Sequence, residues 1–137
     1  MKIMTRVRVE AAVHATESPA RVKRACLNLF PDLTFVETDE GLVGEGSDLE
    51  YLRELIRNQK IRDSARDILI RGRSENTIRF SLNKQAAYVG RVNVGTGSPL
   101  GDLAVTIEDP DVDALIDRVA ESTLGRRLSG PDRTEGT

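Results

Sequence analysis

The sequence predicts an α+β fold: a single, largely antiparallel sheet with helices packed on one face, in the order β-α-β-β-α(α)-β-β-β-α. Three observations predict it. Several segments alternate apolar and polar residues, the period-2 pattern of strands with one buried face. Those segments follow one another directly, which favours hairpins over parallel crossovers. The remaining apolar residues recur at helical spacing between Ser, Asp, Pro and Gly boundaries.

Positions 3 to 15 alternate first: Ile3, Val7, Val9, Ala11, Val13 and Ala15 share one face, and Arg6, Arg8, Glu10 and His14 the other. Ser18-Pro19 then reads as an N-cap with proline at the first helical position. Val22, Ala25, Cys26 and Leu29 follow on one stripe, and Pro31 stops the helix. Leu33–Thr38 and Leu42–Gly46 form two strands around the Asp39-Glu40-Gly41 turn. Ser47-Asp48-Leu49-Glu50 fits a capping box, so a helix is expected from Asp48, burying Leu49, Leu52 and Ile56. Ile61, Ala65, Ile68 and Leu69 are out of phase with that set. This predicts a break near Asn58-Gln59 and a second helix to about Ile70, closed by Gly72.

Strand pattern returns at Ile78, Phe80 and Leu82. The polar triplet Asn83-Lys84-Gln85 interrupts it, and Ala86–Val94 reads as a further strand with Tyr88, Val92 and Val94 in phase. Gly95–Pro99 is a loop, and Leu103, Val105 and Ile107 make the last strand. Asp109-Pro110 caps a final helix carrying Val112, Leu115, Ile116 and Val119. Residues 1–124 are expected to form one domain. From Gly125 to Thr137 the chain shows no periodicity, which predicts a disordered tail.

Composition narrows the function. A single cysteine (Cys26) excludes a disulfide framework and multi-cysteine metal sites, and a single histidine (His14) excludes histidine-rich ones. On its apolar stripe Cys26 reads as a small buried hydrophobe. No apolar run approaches the ~20 residues of a membrane span. The alternating N-terminus reads as a strand and not as a signal peptide, so the expected compartment is the cytoplasm. Gly44-Glu45-Gly46 fails as a dinucleotide fingerprint, because Glu45, Asp48 and Glu50 would face the pyrophosphate. Asp109, Asp111 and Asp113 fail as a calcium loop, with Ala114 and Ala120 where glycine and glutamate belong. Nothing local builds a nucleophilic triad on His14. The reading is a non-enzyme without a cofactor.

The charge is uneven. Within a chain of net charge −2, residues 53–91 carry ten cations (Arg53, Arg57, Lys60, Arg62, Arg66, Arg71, Arg73, Arg79, Lys84, Arg91) against four anions. Such a segment is the electrostatic footprint of a nucleic-acid surface. It is equally a solvated helix face in which Asp63 and Asp67 pair Arg66 and Arg71 at i+3 and i+4. Few aromatics disfavour a base-stacking platform and favour folded or duplex RNA, read by shape.

Specific runs carry a resemblance. Leu27-Asn28-Leu29-Phe30-Pro31 is one. Gly44-Glu45-Gly46 leading through Leu49-Glu50, Leu52-Arg53, Gln59, Ile61, Asp63 and Ala65-Arg66 is another. Leu82-Asn83-Lys84-Gln85-Ala86-Ala87-Tyr88-Val89-Gly90 with Phe80, and Pro99-Leu100-Gly101, complete it. Over roughly Ile3 to Leu124 the chain resembles uncharacterised protein family 0201, small archaeal proteins. The resemblance implies a fold like that of the 5S-rRNA-binding ribosomal protein of the large subunit, and RNA binding by analogy with it. It supplies no catalytic or ligand residues.

The expected function is therefore RNA binding, linked to ribosomal RNA or ribosome assembly. Arg57, Lys60, Arg62, Arg66, Arg71, Arg73, Lys84 and Arg91 would contact phosphate, and Asn83 and Gln85 would orient the contact. A structural role for the triplet, satisfying backbone groups at a strand irregularity, stands beside it. The rival reading is a protein-interaction module or homo-oligomer, in which this basic segment meets the acidic residues 100–124 of another chain.

Overall fold

The computed structural model describes residues 5–94 and 101–121. In chain order the elements are β1 (Arg6–Ala12), α1 (Pro19–Leu29), β2 (Thr34–Glu37), β3 (Gly41–Gly46), α2 (Glu50–Asn58) and α3 (Arg62–Arg71). They continue with β4 (Arg73–Ser74), β5 (Thr77–Asn83), α4 (Lys84–Tyr88), β6 (Asp102–Glu108) and α5 (Val112–Val119). The six strands form one antiparallel sheet in the order β2-β3-β1-β6-β5-β4.

Register explains why one face is covered. Val7 pairs with Ile107, which pairs with Ile78; Val9 pairs with Val105, which pairs with Phe80. These apolar rows face α1, α2, α3 and α5, and Val22, Leu29, Leu52, Ile56, Leu69, Leu115 and Ile116 close the core over them. The opposite rows carry Arg6, Arg8, Glu10, Arg79, Thr106 and Glu108 and line an open hollow of about 710 Å³. The α+β class, the antiparallel sheet and the helix-break at Asn58-Gln59 are as the periodicity predicts.

Several local expectations fail for identifiable reasons. Ala86–Val94 is not a strand. Asn83 accepts the Ala86 N–H at 2.9 Å and starts α4, whose inward face is Lys84 and Ala87. The helical phase is hidden because its first buried residue is charged. The capping box at Ser47 does not form, and α2 starts at Glu50. The Asp32 carboxylate takes the Ser47 and Asp48 N–H groups, while Asp48 takes that of Glu50. The cap of α5 is Asp111, on the Ala114 N–H, and not Asp109. β1 ends at Ala12 because the chain turns at His14, where the Glu17 N–H bonds the His14 carbonyl. Ile3, the 95–99 loop and the 125–137 tail lie outside the described residues.

Candidate nucleic-acid interface

The basic segment splits into two groups with different fates. In the first, Arg62, Arg66 and Arg73 lie against α5 and the residues just after it, where Asp113 and Asp117 on the helix and Glu121 beyond its cap follow one another at i+4. Arg62 meets Glu121 at 3.1 Å, Arg66 meets Asp117 at 2.8 Å, and Arg73 is paired with Asp113. Arg66 also donates to the Ala120 carbonyl at 3.2 Å and Arg53 to that of Arg118 at 3.0 Å, so two arginines satisfy the open carbonyls ending α5. The helix cannot swing away to release them. It buries Val112, Leu115, Ile116 and Val119, each worth about 1.5–3 kcal/mol. Arg71, exposed, pairs with Asp67 at 3.0 Å on its own helix. The acidic C-terminal segment thus meets the basic one within a single chain. Three of the carboxylates on which the homo-oligomer reading rests are thereby engaged within the chain itself.

Lys84, expected at the surface as a phosphate contact, is 0% exposed. Its ammonium donates to the Ala12 carbonyl at 2.7 Å and to the two Glu17 carboxylate oxygens at 3.1 and 3.4 Å. Tyr88 donates to the same carboxylate at 3.1 Å. Burial pushes the Glu17 carboxyl up, but hydrogen bonds from the His14 N–H, Lys84 and Tyr88 outweigh it and hold it below its ordinary value. This ion pair ties the β1–α1 connection to α4 and offers nothing to RNA. Asn83 likewise is committed, as the cap of α4. Cys26 is buried beside this network, and burial pushes its thiol up to about 12, so it stays a protonated hydrophobe.

The second group converges. Arg57, Lys60, Arg62 and Asp63 line a shallow hollow of about 350 Å³ at the α2–α3 junction. There α2 ends in a Schellman motif: the Lys60 N–H bonds the Arg57 carbonyl and the Ile61 N–H that of Ile56, each at 3.1 Å. The residue held in the left-handed conformation is Lys60, at φ 61°, where glycine is usual. α4 ends the same way. The Gly90 N–H bonds the Ala87 carbonyl at 3.0 Å, and the Arg91 N–H that of Ala86 at 2.9 Å, with Gly90 at φ 74°.

The Gln59 side chain locks the two helix ends together, donating to the Val92 carbonyl at 2.9 Å and accepting its N–H at 2.8 Å. Lys60 follows Gln59 and Arg91 precedes Val92, so the clamp ties together the two backbone segments that carry these cations, with Arg57 at the end of α2 beside them in sequence. All three are exposed, and among the described residues no carboxylate pairs with them. Their three charges exceed the roughly half negative charge that each helix C-terminus contributes. The open sheet face differs: Arg6 pairs with Glu108 and Arg8 with Glu10, both at 3.5 Å, so its charges largely cancel.

The family model described as RNA binding matches residues 6–108. A UPF0201 protein of Methanothermobacter thermautotrophicus is 43% identical over 121 residues, 85% of this chain and 92% of its own. The chain belongs to uncharacterised protein family 0201. A further UPF0201 protein, from Pyrococcus horikoshii, is 41% identical over 130 residues, 90% of this chain and 94% of its own. The solved UPF0201 structure from Methanococcus jannaschii superposes with a TM-score of 0.78 at 40% identity, covering 86% of this chain and 94% of that one.

In this UPF0201 chain the platform includes residues that the sequence reading passed over. Gln59 marked a helix break and one position of the family resemblance but no contact, because an amide clamp has no sequence signature. Arg21 and Arg24, exposed on α1, lie outside the 53–91 segment. They lie two turns and one turn before Asn28 on its side of α1, and Asn28 donates to the Ala87 carbonyl at 2.9 Å and holds α1 to α4. The outward side of the Val22–Leu29 stripe is the signal that marks them. Among the described residues no helix is long and apolar enough to cross a membrane, and no cluster of three or more His, Cys, Asp or Glu is placed to hold a metal ion.

Proposed function

We propose that this chain is a non-enzymatic RNA-binding protein that docks on folded RNA through the platform joining α2, α3 and the exit of α4. Arg57, Lys60 and Arg91 contact phosphates, Arg62 borders the hollow, and Arg21 and Arg24 extend the positive field. The observation that carries the reading is the Gln59–Val92 clamp, which ties together the segments bearing three exposed cations free of carboxylate partners among the described residues. The match to an RNA-binding family supports it. Tyr51 is the one exposed large aromatic among the described residues, too few for a stacking row, which favours structured RNA. Ribosomal RNA is the class to which the implied ribosomal-protein likeness points.

Ultraviolet crosslinking of the protein in its native cells, read by mass spectrometry of crosslinked peptides, tests this. Adducts on peptides spanning 57–62 and 85–92 are expected. Adducts confined to the open sheet face, on peptides spanning 6–10 and 79–81, would place RNA elsewhere and overturn the proposed site.

A further inference from the structure

Val89 is 71% exposed, more than any other large apolar residue described. Single exposed apolar side chains are common and by themselves mean little. This one is unusual in being held still. Its own N–H bonds the Ala86 carbonyl at 3.1 Å, and the next two N–H groups close the Schellman motif. α4 itself is pinned by the buried Lys84 ammonium, by Asn28 and, just beyond Arg91, by the Gln59 clamp. A Cβ on the neighbouring Gly90 would meet no atom within 4 Å, so the tip stands clear of the rest of the chain.

Gln85 lies on α4 four residues before Val89, the residue that caps the helix, about one turn back along the same side, and is exposed. With Asn83 and Lys84 committed internally, it is the member of the polar triplet left facing solvent. A glutamine amide both donates and accepts, as does a ribose 2′-hydroxyl. A-form RNA presents those hydroxyls in a wide, shallow minor groove that a short helix end can enter.

Resting on the RNA-binding reading, we infer that the Gln85–Val89 side of α4 is the element that distinguishes RNA from DNA. It lies in the minor groove of an A-form duplex, with the Gln85 amide on a ribose 2′-hydroxyl and Val89 packed on the adjoining sugar. Arg91, Lys60 and Arg57 flank it on phosphate, which is the charge complementarity that selects a polyanion as the occupant of this apolar tip.

The test compares binding of a 16-base-pair RNA duplex and the DNA duplex of the same sequence by wild type, Q85A, V89S and the double variant R57E/K60E. Wild type is expected to prefer RNA by about tenfold, the ratio that corresponds to roughly 1.4 kcal/mol. Q85A and V89S should each erode that ratio severalfold while leaving DNA binding and its salt dependence in place. R57E/K60E should weaken both duplexes together. Equal affinity of wild type for the two duplexes overturns the inference. So do Q85A and V89S variants that keep the wild-type ratio while R57E/K60E loses binding, an outcome that leaves the phosphate platform standing. Absence of binding to either duplex overturns the platform as well.

Discussion

Gln59 and Val92 exchange two hydrogen bonds, at 2.9 and 2.8 Å, across 33 residues of sequence. The amide does for two helix ends what a ladder pair does for two strands. Through it the α2–α3 junction and the exit of α4 become one surface, with a cation beside each end of the clamp.

Gln59→Ala leaves the part-buried N–H and carbonyl of Val92 without partners, which costs about 1–3 kcal/mol. Urea unfolding should show that loss. RNA affinity should fall too, at denaturant-free conditions where the variant is folded, because the segment carrying Arg91 is no longer tied to the one carrying Lys60.

Lys60 sits where glycine is the usual residue, and a left-handed side-chain-bearing residue costs stability. Lys60→Gly should therefore stabilise the fold by about 0.5–1 kcal/mol, after allowing for glycine's greater freedom in the unfolded chain. The same change should weaken RNA binding and lower the slope of log affinity against log salt by about 1. Glu75, at φ 55° between β4 and β5, supplies the contrast. Glu75→Gly should gain stability with affinity unchanged.

The Lys84–Glu17 pair is buried on both sides, so removing one member strands the other. Lys84→Met should cost about 3–5 kcal/mol in chemical denaturation, and Glu17→Gln in the same background should recover part of it. Glu17 also sets a pH dependence. Its folded carboxyl lies below the ordinary value of 4.5, so its contribution is fully present above that value and is lost as pH falls through the folded one. Acid unfolding of Glu17→Gln should lack this component, leaving a shallower decline below pH 4.5 than in wild type.

Arg71 lies nine residues beyond Arg62, about 13 Å along α3, and its charge is paired with Asp67. Arg71→Glu should leave RNA affinity nearly unchanged despite altering net charge by two. A loss as large as that of Lys60→Glu would mean that net charge, and not the platform, governs binding.

The strands β1 and β6 and the helix α1 are legible from sequence because each has one apolar face, although the alternation runs past the end of β1 at Ala12. The sheet's covered side follows from them. α4 is not legible, since its inward face begins with Lys84, and a buried lysine reads as a surface one until Glu17 and the Ala12 carbonyl are seen beside it. Basic composition marked a segment but could not sort its paired cations from its unpaired ones. Arg62 and Arg66 on α3 and Arg73 on β4 are paired by carboxylates of the distant C-terminal segment, whereas the segments carrying Lys60 and Arg91 are tied by the Gln59 clamp, a contact between side chain and distant backbone.

The most direct measurement is the salt dependence of binding to a fluorescent structured RNA, by anisotropy, for wild type and the triple variant R57E/K60E/R91E. The platform predicts that wild-type affinity falls steeply with salt. The folded variant should lose most of that affinity, with a salt slope lower by about 3. A variant that folds, binds as wild type does and keeps the same slope would contradict it.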